Sequence, residues 1–243
     1  MKPVTCHITN PRENQLLAAL TDAEWQRWRV ILEPVEMRVG MVLCESGSPH
    51  AYAYFPTTAI VSLLTTTEDG ASSEIAVVGN DGVIGIPLFM GGGTMPCQAV
   101  VQSAGLGFRL RAKFVKDEVV RASPMLYVLL RYTQAMISQV AQTAACNRYH
   151  SIDQQLCRRL LLGLDRLPSE EILFTQELLA RLLGVRRESV TAAALKLQQA
   201  GLIKYSRGRI DVLDRRKLEQ RTCECYALSK REYNRLVPMA VAA

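Results

Sequence analysis

The stretch Thr175-Gln176-Glu177-Leu178-Leu179-Ala180-Arg181-Leu182-Leu183-Gly184-Val185-Arg186-Arg187-Glu188-Ser189-Val190 decides how the chain is read. Thr175 is a residue type whose side chain satisfies the orphan N–H groups at a helix start, and Gly184 breaks the helix that follows. A second helix is predicted from about Arg186 to Gln199. Gly201 suits the left-handed position just past its end, where Leu202 can fold back on Leu197. Ile203-Lys204-Tyr205, the turn Ser206-Arg207-Gly208 and Arg209-Ile210-Asp211-Val212 then read as a short hairpin. Helix, glycine turn, helix and basic hairpin is the pattern of a helix-turn-helix with a wing.

The second helix divides into two faces. With Val190 at the centre of a buried face and about 100° per residue, Ala193, Ala194 and Leu197 join it. The opposite face carries Glu188, Thr191, Ala192, Leu195 and Gln199, flanked by Arg187 and Ser189. Arg187 can donate two hydrogen bonds to guanine, and Glu188 can accept one from a cytosine amino group. Ser189, Thr191 and Ala192 are small enough to let the helix approach closely, and can touch a phosphate or a thymine methyl. Lys204, Arg207 and Arg209 on the hairpin are suited to backbone phosphates. An isolated Arg-Glu pair is most often a solvated pair at a helix start. Its place here, opening the second helix of a glycine-linked pair ahead of a basic hairpin, points to double-stranded DNA.

Charge agrees with that. The net charge is +6. Residues 1–150 hold 12 Lys+Arg against 12 Asp+Glu, whereas residues 151–243 hold 17 against 11. A neutral front and a basic back suggest that the back meets a polyanion.

At 243 residues, with 49% hydrophobic and 21% charged residues, the chain is long enough for two globular domains. No apolar run approaches the roughly 18 residues of a membrane helix, and the start lacks the apolar core of a secretory signal. A cytoplasmic protein without a membrane partner is expected. Seven scattered cysteines in such a chain argue for free thiols.

Working toward the N-terminus, residues 12–34 read as helical, with Thr21-Asp22-Ala23-Glu24 as a capping box. From Val35 to Leu110 short apolar runs (41–43, 59–64, 75–78, 99–101) alternate with Gly and Asp turns, which indicates an antiparallel β-barrel or sandwich. After Lys113 the pattern is helical. Pro124 suits a helix start. Leu126, Leu130, Thr133, Ile137, Val140 and Ala144 then recur at helical steps, a narrow stripe of the kind that pairs with a second helix. A dimer seam is expected there. The domain boundaries predicted are 1–116 for an N-terminal helix and barrel, 117–150 for a linking helix and 151–243 for the winged domain. The class is α+β.

The order of barrel, long helix and winged helix-turn-helix resembles the Crp/Fnr superfamily of bacterial transcription regulators, and 183–190 looks like that family's recognition-helix opening. The resemblance implies a homodimer on an inverted-repeat operator, contact with RNA polymerase and a jelly-roll barrel like the cyclic-nucleotide-binding fold. It makes Arg187 and Glu188 the base-reading pair and puts Arg186 among the DNA contacts. A further basic residue usual in the family falls on Ala192, and Arg186 stands where a capping residue is usual. The effector-pocket candidates it implies are Gly85, Ile86, Gly92, Gly93, Cys97 and Gln98. Ile86 stands for the motif's Glu and Gln98 for its Arg, and a buried phosphate without a cation is poorly held. Cyclic AMP is therefore not the expected effector, and no cofactor is expected.

Other chemistries find little support. Cys223-Glu224-Cys225 supplies two metal ligands, too few for structural zinc, and His7, His50 and His150 share no motif. No metal site is expected. The cysteines near the N-terminus that mark iron–sulfur members of the family reduce here to Cys6. A nucleophile elbow, a P-loop and a His-Glu metal motif are all missing from the sequence, and Gly79-x-x-Gly82-x-x-Gly85 opens no helix, so an enzyme is not expected. The sequence thus reads as a dimeric DNA-binding regulator. The competing reading is a redox- or ligand-sensing interaction module whose winged domain contacts protein.

Overall fold

The structure is a computed structural model and describes residues 10–167, 171–206 and 208–237. It opens with a 3-10 turn (Pro11–Glu13), α1 (Gln15–Ala18) and α2 (Asp22–Trp28). The capping box forms as expected: Thr21 Oγ1 accepts from the Glu24 N–H at 3.3 Å, and Glu24 Oε2 accepts from the Thr21 N–H at 3.0 Å. The helical region is shorter than its sequence suggested, since β1 (Glu33–Met37) already occupies its end. Pro34 lacks the N–H a helix would need and biases Glu33 toward extended backbone.

Six more strands follow: β2 (Val42–Cys44), β3 (Tyr52–Pro56), β4 (Ile60–Thr66), β5 (Ser72–Val78), β6 (Gln98–Ser103) and β7 (Gly105–Arg111). They form two antiparallel sheets, ordered β1-β7-β3 and β2-β6-β4-β5, so the barrel expectation resolves into a jelly-roll-like sandwich. Met37, Phe55, Val61, Val101 and Leu110 fill the space between the sheets. Trp28 closes one end, edge-on to Phe55 with ring centroids 6.0 Å apart. A single helical turn, α3 (Pro87–Met90), interrupts the connection from β5 to β6.

After α4 (Ala112–Val120) comes α5 (Pro124–Tyr149), 26 residues long with Pro124 at its first turn as expected. Its start is capped from a distance. Ser123 makes no cap bond, and the buried Glu24 carboxylate of α2 accepts the Met125 N–H at 2.7 Å instead. A carboxylate there also meets the positive end of the helix dipole. The inner face of α5 (Met125, Leu129, Tyr132, Met136) is buried in the sandwich core. Its outer face leaves Tyr127, Leu130, Ile137 and Ala144 exposed, Ile137 to 63%. The stripe expected for a dimer seam is thereby split. Leu130, Ile137 and Ala144 face outward, and Leu126 and Val140 pack half-buried on the sandwich. Thr133 is buried and donates to the Leu129 carbonyl at 2.9 Å. A helix apolar on two sides offers a stripe that sequence spacing alone cannot assign to one of them.

The remainder comprises α6 (Ile152–Leu164), β8 (Glu171–Leu173), α7 (Gln176–Leu183), α8 (Arg187–Gln199), β9 (Ile203–Ser206), β10 (Arg209–Val212), α9 (Arg215–Arg221) and α10 (Glu224–Leu236). The expected hairpin β9–β10 gains a third strand, in the order β8-β10-β9. A second core gathers Leu156, Leu160, Phe174, Leu179, Val190 and Leu218, and it includes Ile60 and Val77 of the sandwich. The winged region therefore docks on β4 and β5. Gly79 lies at this junction, where an added Cβ would stand 2.7 Å from the Arg166 Cβ. Helix α10 turns away from the wing and packs along α5, and Tyr233 donates to the Asp81 carbonyl at 2.6 Å.

Candidate nucleic-acid interface

The interface is built on α7, its turn and α8. Thr175 Oγ1 accepts the Leu178 N–H at 3.1 Å, as its position in sequence requires. Gly184 adopts φ +65°, a conformation costly for residues with a side chain, and it turns the chain within two residues into α8. Arg186 occupies the cap position of α8 in extended conformation without a side-chain cap, as expected of an arginine. At the other end Leu202 N–H returns to the Leu197 carbonyl and Gly201 N–H to Gln198, both at 3.0 Å, with Gly201 at φ +68°. That pair of bonds is the Schellman arrangement, and it fixes where α8 stops and the wing begins.

The two faces of α8 fall where the sequence placed them. Val190, Ala193, Ala194 and Leu197 are buried, and Glu188, Ala192, Leu195 and Gln199 are exposed. Arg186 and Arg187 are also exposed, and Ser189 is half-buried. Among the described residues no ion pair engages Arg187 or Glu188. Thr191 departs from the expected role. Its hydroxyl lies 2.9 Å from Gln176 Oε1 and 3.0 Å from the Arg187 carbonyl, so it holds α8 to α7. In the wing, Lys204 is exposed, and the Tyr205 N–H donates to Gln198 Oε1 at 3.0 Å, tying β9 to α8. Arg209 reaches Asp211 at 2.9 Å, which offsets part of its charge. Arg207 lies outside the described residues.

The effector candidates are less coherent. Gly85 has φ +124° and sits tightly against Ala53, and Ile86 is half-buried at the start of α3. Gly92 is exposed, Gly93 half-buried and Cys97 buried. Gln98, at the position where the resemblance implies a phosphate-binding cation, donates to Glu45 Oε2 at 2.8 Å, so a carboxylate lies beside that position. A cavity of about 400 Å³ lies away from all six, between α5, α6, α10 and the end of β5, lined in part by Asp81, Tyr132, Arg166, Lys230 and Tyr233.

Sequence reasoning missed one cluster outright. It counted Cys223 and Cys225 as an isolated pair and His150 as a lone histidine. The fold brings Cys146, His150, Cys223 and Cys225 together, with one donor atom from each all within 4.8 Å of one another. The end of α5 and the start of α10 meet there. The available signal was two short spacings, Cys-x-x-x-His at 146–150 and Cys-x-Cys at 223–225, which become one set only when α10 returns to α5. Burial pushes the Cys146 and Cys225 thiols up, as it does that of Cys44, which lies 3.3 Å from His50 Nδ1 and is raised to about 12.

Comparison with known proteins bears on the winged region first. Residues 154–221 match the family of Crp-like helix-turn-helix domains. No curated protein matches the chain. Among solved structures, a chain described as a transcriptional regulator of the Crp/Fnr family from Eubacterium rectale is similar at 18% identity, covering 86% of this chain and 98% of its own, with a TM-score of 0.67. FixK2 from Bradyrhizobium japonicum is similar at 15% identity over 79% of this chain and 98% of its own, TM-score 0.66. The c-di-GMP-responsive global regulator CLP of Xanthomonas campestris is similar at 16% identity over 80% of this chain and 100% of its own, TM-score 0.62. The chain carries a Crp-like helix-turn-helix domain over residues 154–221 and has the fold of the Crp/Fnr-family regulators.

Proposed function

We propose that the chain is a sequence-specific DNA-binding transcription regulator that acts as a homodimer. The observation that carries this is the exposed opening of α8, where Arg187 and Glu188 face outward while the helix is anchored behind them by the buried Val190 and Leu197. In this reading Arg187 donates to guanine, Glu188 accepts from cytosine, and Arg186 and Ser189 contact the backbone nearby. Lys204, with Arg207 and Arg209, meets phosphates from the wing. Thr191 acts one step back, holding α8 on α7. The Tyr127, Leu130, Ile137 and Ala144 stripe of α5 forms the seam between protomers, which sets two α8 helices for successive major grooves.

The sandwich then transmits a signal other than ordinary cyclic AMP. The Gln98–Glu45 hydrogen bond supports this, because a cyclic phosphate seated there would face a carboxylate instead of a guanidinium. Selecting bound duplexes from a random pool tests the whole reading. It should enrich an inverted repeat with half-sites about one helical turn apart, and a pool without enrichment contradicts it.

A further inference from the structure

We propose that Cys146, His150, Cys223 and Cys225 form a tetrahedral binding site for a single zinc-type divalent cation, which joins the end of α5 to the start of α10. Three thiols and an imidazole are the donor set of structural zinc sites. Their spacing fits one ion. With Zn–S about 2.3 Å and Zn–N about 2.0 Å, neighbouring ligand atoms of a tetrahedron stand about 3.5–3.8 Å apart. Cys146 Sγ and Cys223 Sγ are separated by 3.5 Å, and Cys225 Sγ and His150 Nδ1 by 3.6 Å. All four donors lie within 4.8 Å, so small side-chain adjustments close the set around one centre. The three cysteines are at most 4% exposed and form an apolar pocket of their own.

Two further observations point to a ligand. His150 Nε2 lies 3.3 Å from Glu224 Oε1. A carboxylate on the far nitrogen fixes the tautomer that leaves Nδ1 free to coordinate, the usual support of a metal-bound histidine. Arg158 is 6% exposed, and its Nη2 donates to Thr143 while Nε has no partner among the described residues. Binding releases three thiol protons to solvent and leaves the ion with three thiolates at a net charge of −1, which the Arg158 cation offsets.

The position has a consequence. His150 and Ser151 are the two residues that separate α5 from α6, and α10 lies beyond the helix-turn-helix match. An ion here pins the long helix, its junction with the winged region and the last helix at one point. Gln155 supports the same turn by donating to the His150 carbonyl at 2.9 Å.

The test uses the full-length protein, reduced and stripped with a chelator, then titrated with Co²⁺ under inert gas and displaced with Zn²⁺. The expected result is the intense visible spectrum of tetrahedral, thiolate-bound cobalt, saturating at one ion per chain and discharged by Zn²⁺. Cys225→Ser and His150→Ala should abolish that spectrum, and Cys97→Ser should leave it unchanged. Glu224→Gln should weaken zinc binding by roughly 10- to 100-fold, the usual effect of losing an outer-shell partner. Should a variant fail to fold, alkylation of the wild type still decides. Zn²⁺ should protect Cys146, Cys223 and Cys225 while leaving the rate at Cys44 unchanged. A wild type giving only weak octahedral cobalt bands overturns the proposal. So does a spectrum that survives both ligand variants, alkylation indifferent to Zn²⁺, or a Cys146–Cys223 disulfide that persists in reductant.

Discussion

Arg159 of α6 and Glu74 of β5 form a buried ion pair between the winged region and the sandwich, with Nε 2.6 Å from Oε1 and side chains only 4% and 8% exposed. The pair is not alone. Glu74 Oε2 also accepts from Ser62 at 2.5 Å, Arg159 reaches the Gln102 amide oxygen, and the guanidinium lies over the Phe174 ring. A second bridge, Arg166 to Asp81 at 2.5 Å, runs parallel to it.

Removing one partner leaves the other charge buried and uncompensated, which costs about 3–5 kcal/mol, whereas replacing both with apolar groups is often near neutral. Glu74→Ala should therefore lower the urea-unfolding free energy by about that amount, and Glu74→Leu with Arg159→Met should recover most of it. Strictly additive losses in the double variant would contradict the account of the junction.

The outer stripe of α5 makes a separate prediction. Ile137→Glu places a charge in the middle of the proposed seam, at a cost of several kcal/mol if the site is desolvated. Sedimentation should show a micromolar dimer for the wild type and a monomer for the variant, with folded content unchanged because Ile137 is exposed in the single chain. A monomeric wild type would contradict the seam.

His50 gives a pH dependence. Burial holds its imidazolium below the ordinary value of 6.5, so the folded chain takes up this proton less readily than the unfolded one. The stability it contributes is full above the unfolded value and is lost as pH falls through the folded one. Urea midpoints of the wild type should fall faster on acidification than those of His50→Gln. Parallel curves would contradict this.

The wing is read by its salt dependence. Lys204→Ala should weaken specific and random duplexes alike and flatten the logarithmic salt slope by about one unit, as loss of one phosphate contact does. An unchanged slope would remove Lys204 from the interface.

Much of this was legible in the chain because it depends on local rules. The Thr21 and Thr175 caps, the Gly184 turn, the Gly201 stop and the buried side of α8 follow from a few residues each. Strands β3 and β7 escaped notice because Tyr52–Pro56 ends in proline and Gly105–Arg111 is broken by glycine, so neither shows clean alternation. Strand β8 is three residues long and exists only by pairing with β10. The Glu24 cap on α5, the junction of Arg159 with Glu74 and the thiol cluster join residues from 77 to 101 positions apart. No local pattern encodes such pairs. They appear only once the C-terminal half is docked on the sandwich.

The most direct test of the central claim compares Arg187→Ala with the wild type on the selected operator, on the same operator changed at one guanine per half-site, and on random duplex. Arg187→Ala should lose about 1–3 kcal/mol on the selected site and should no longer distinguish the changed base pair, while its affinity for random duplex stays near that of the wild type. Equal weakening on all three duplexes would make Arg187 a phosphate contact and contradict the assignment of α8 as the reading helix.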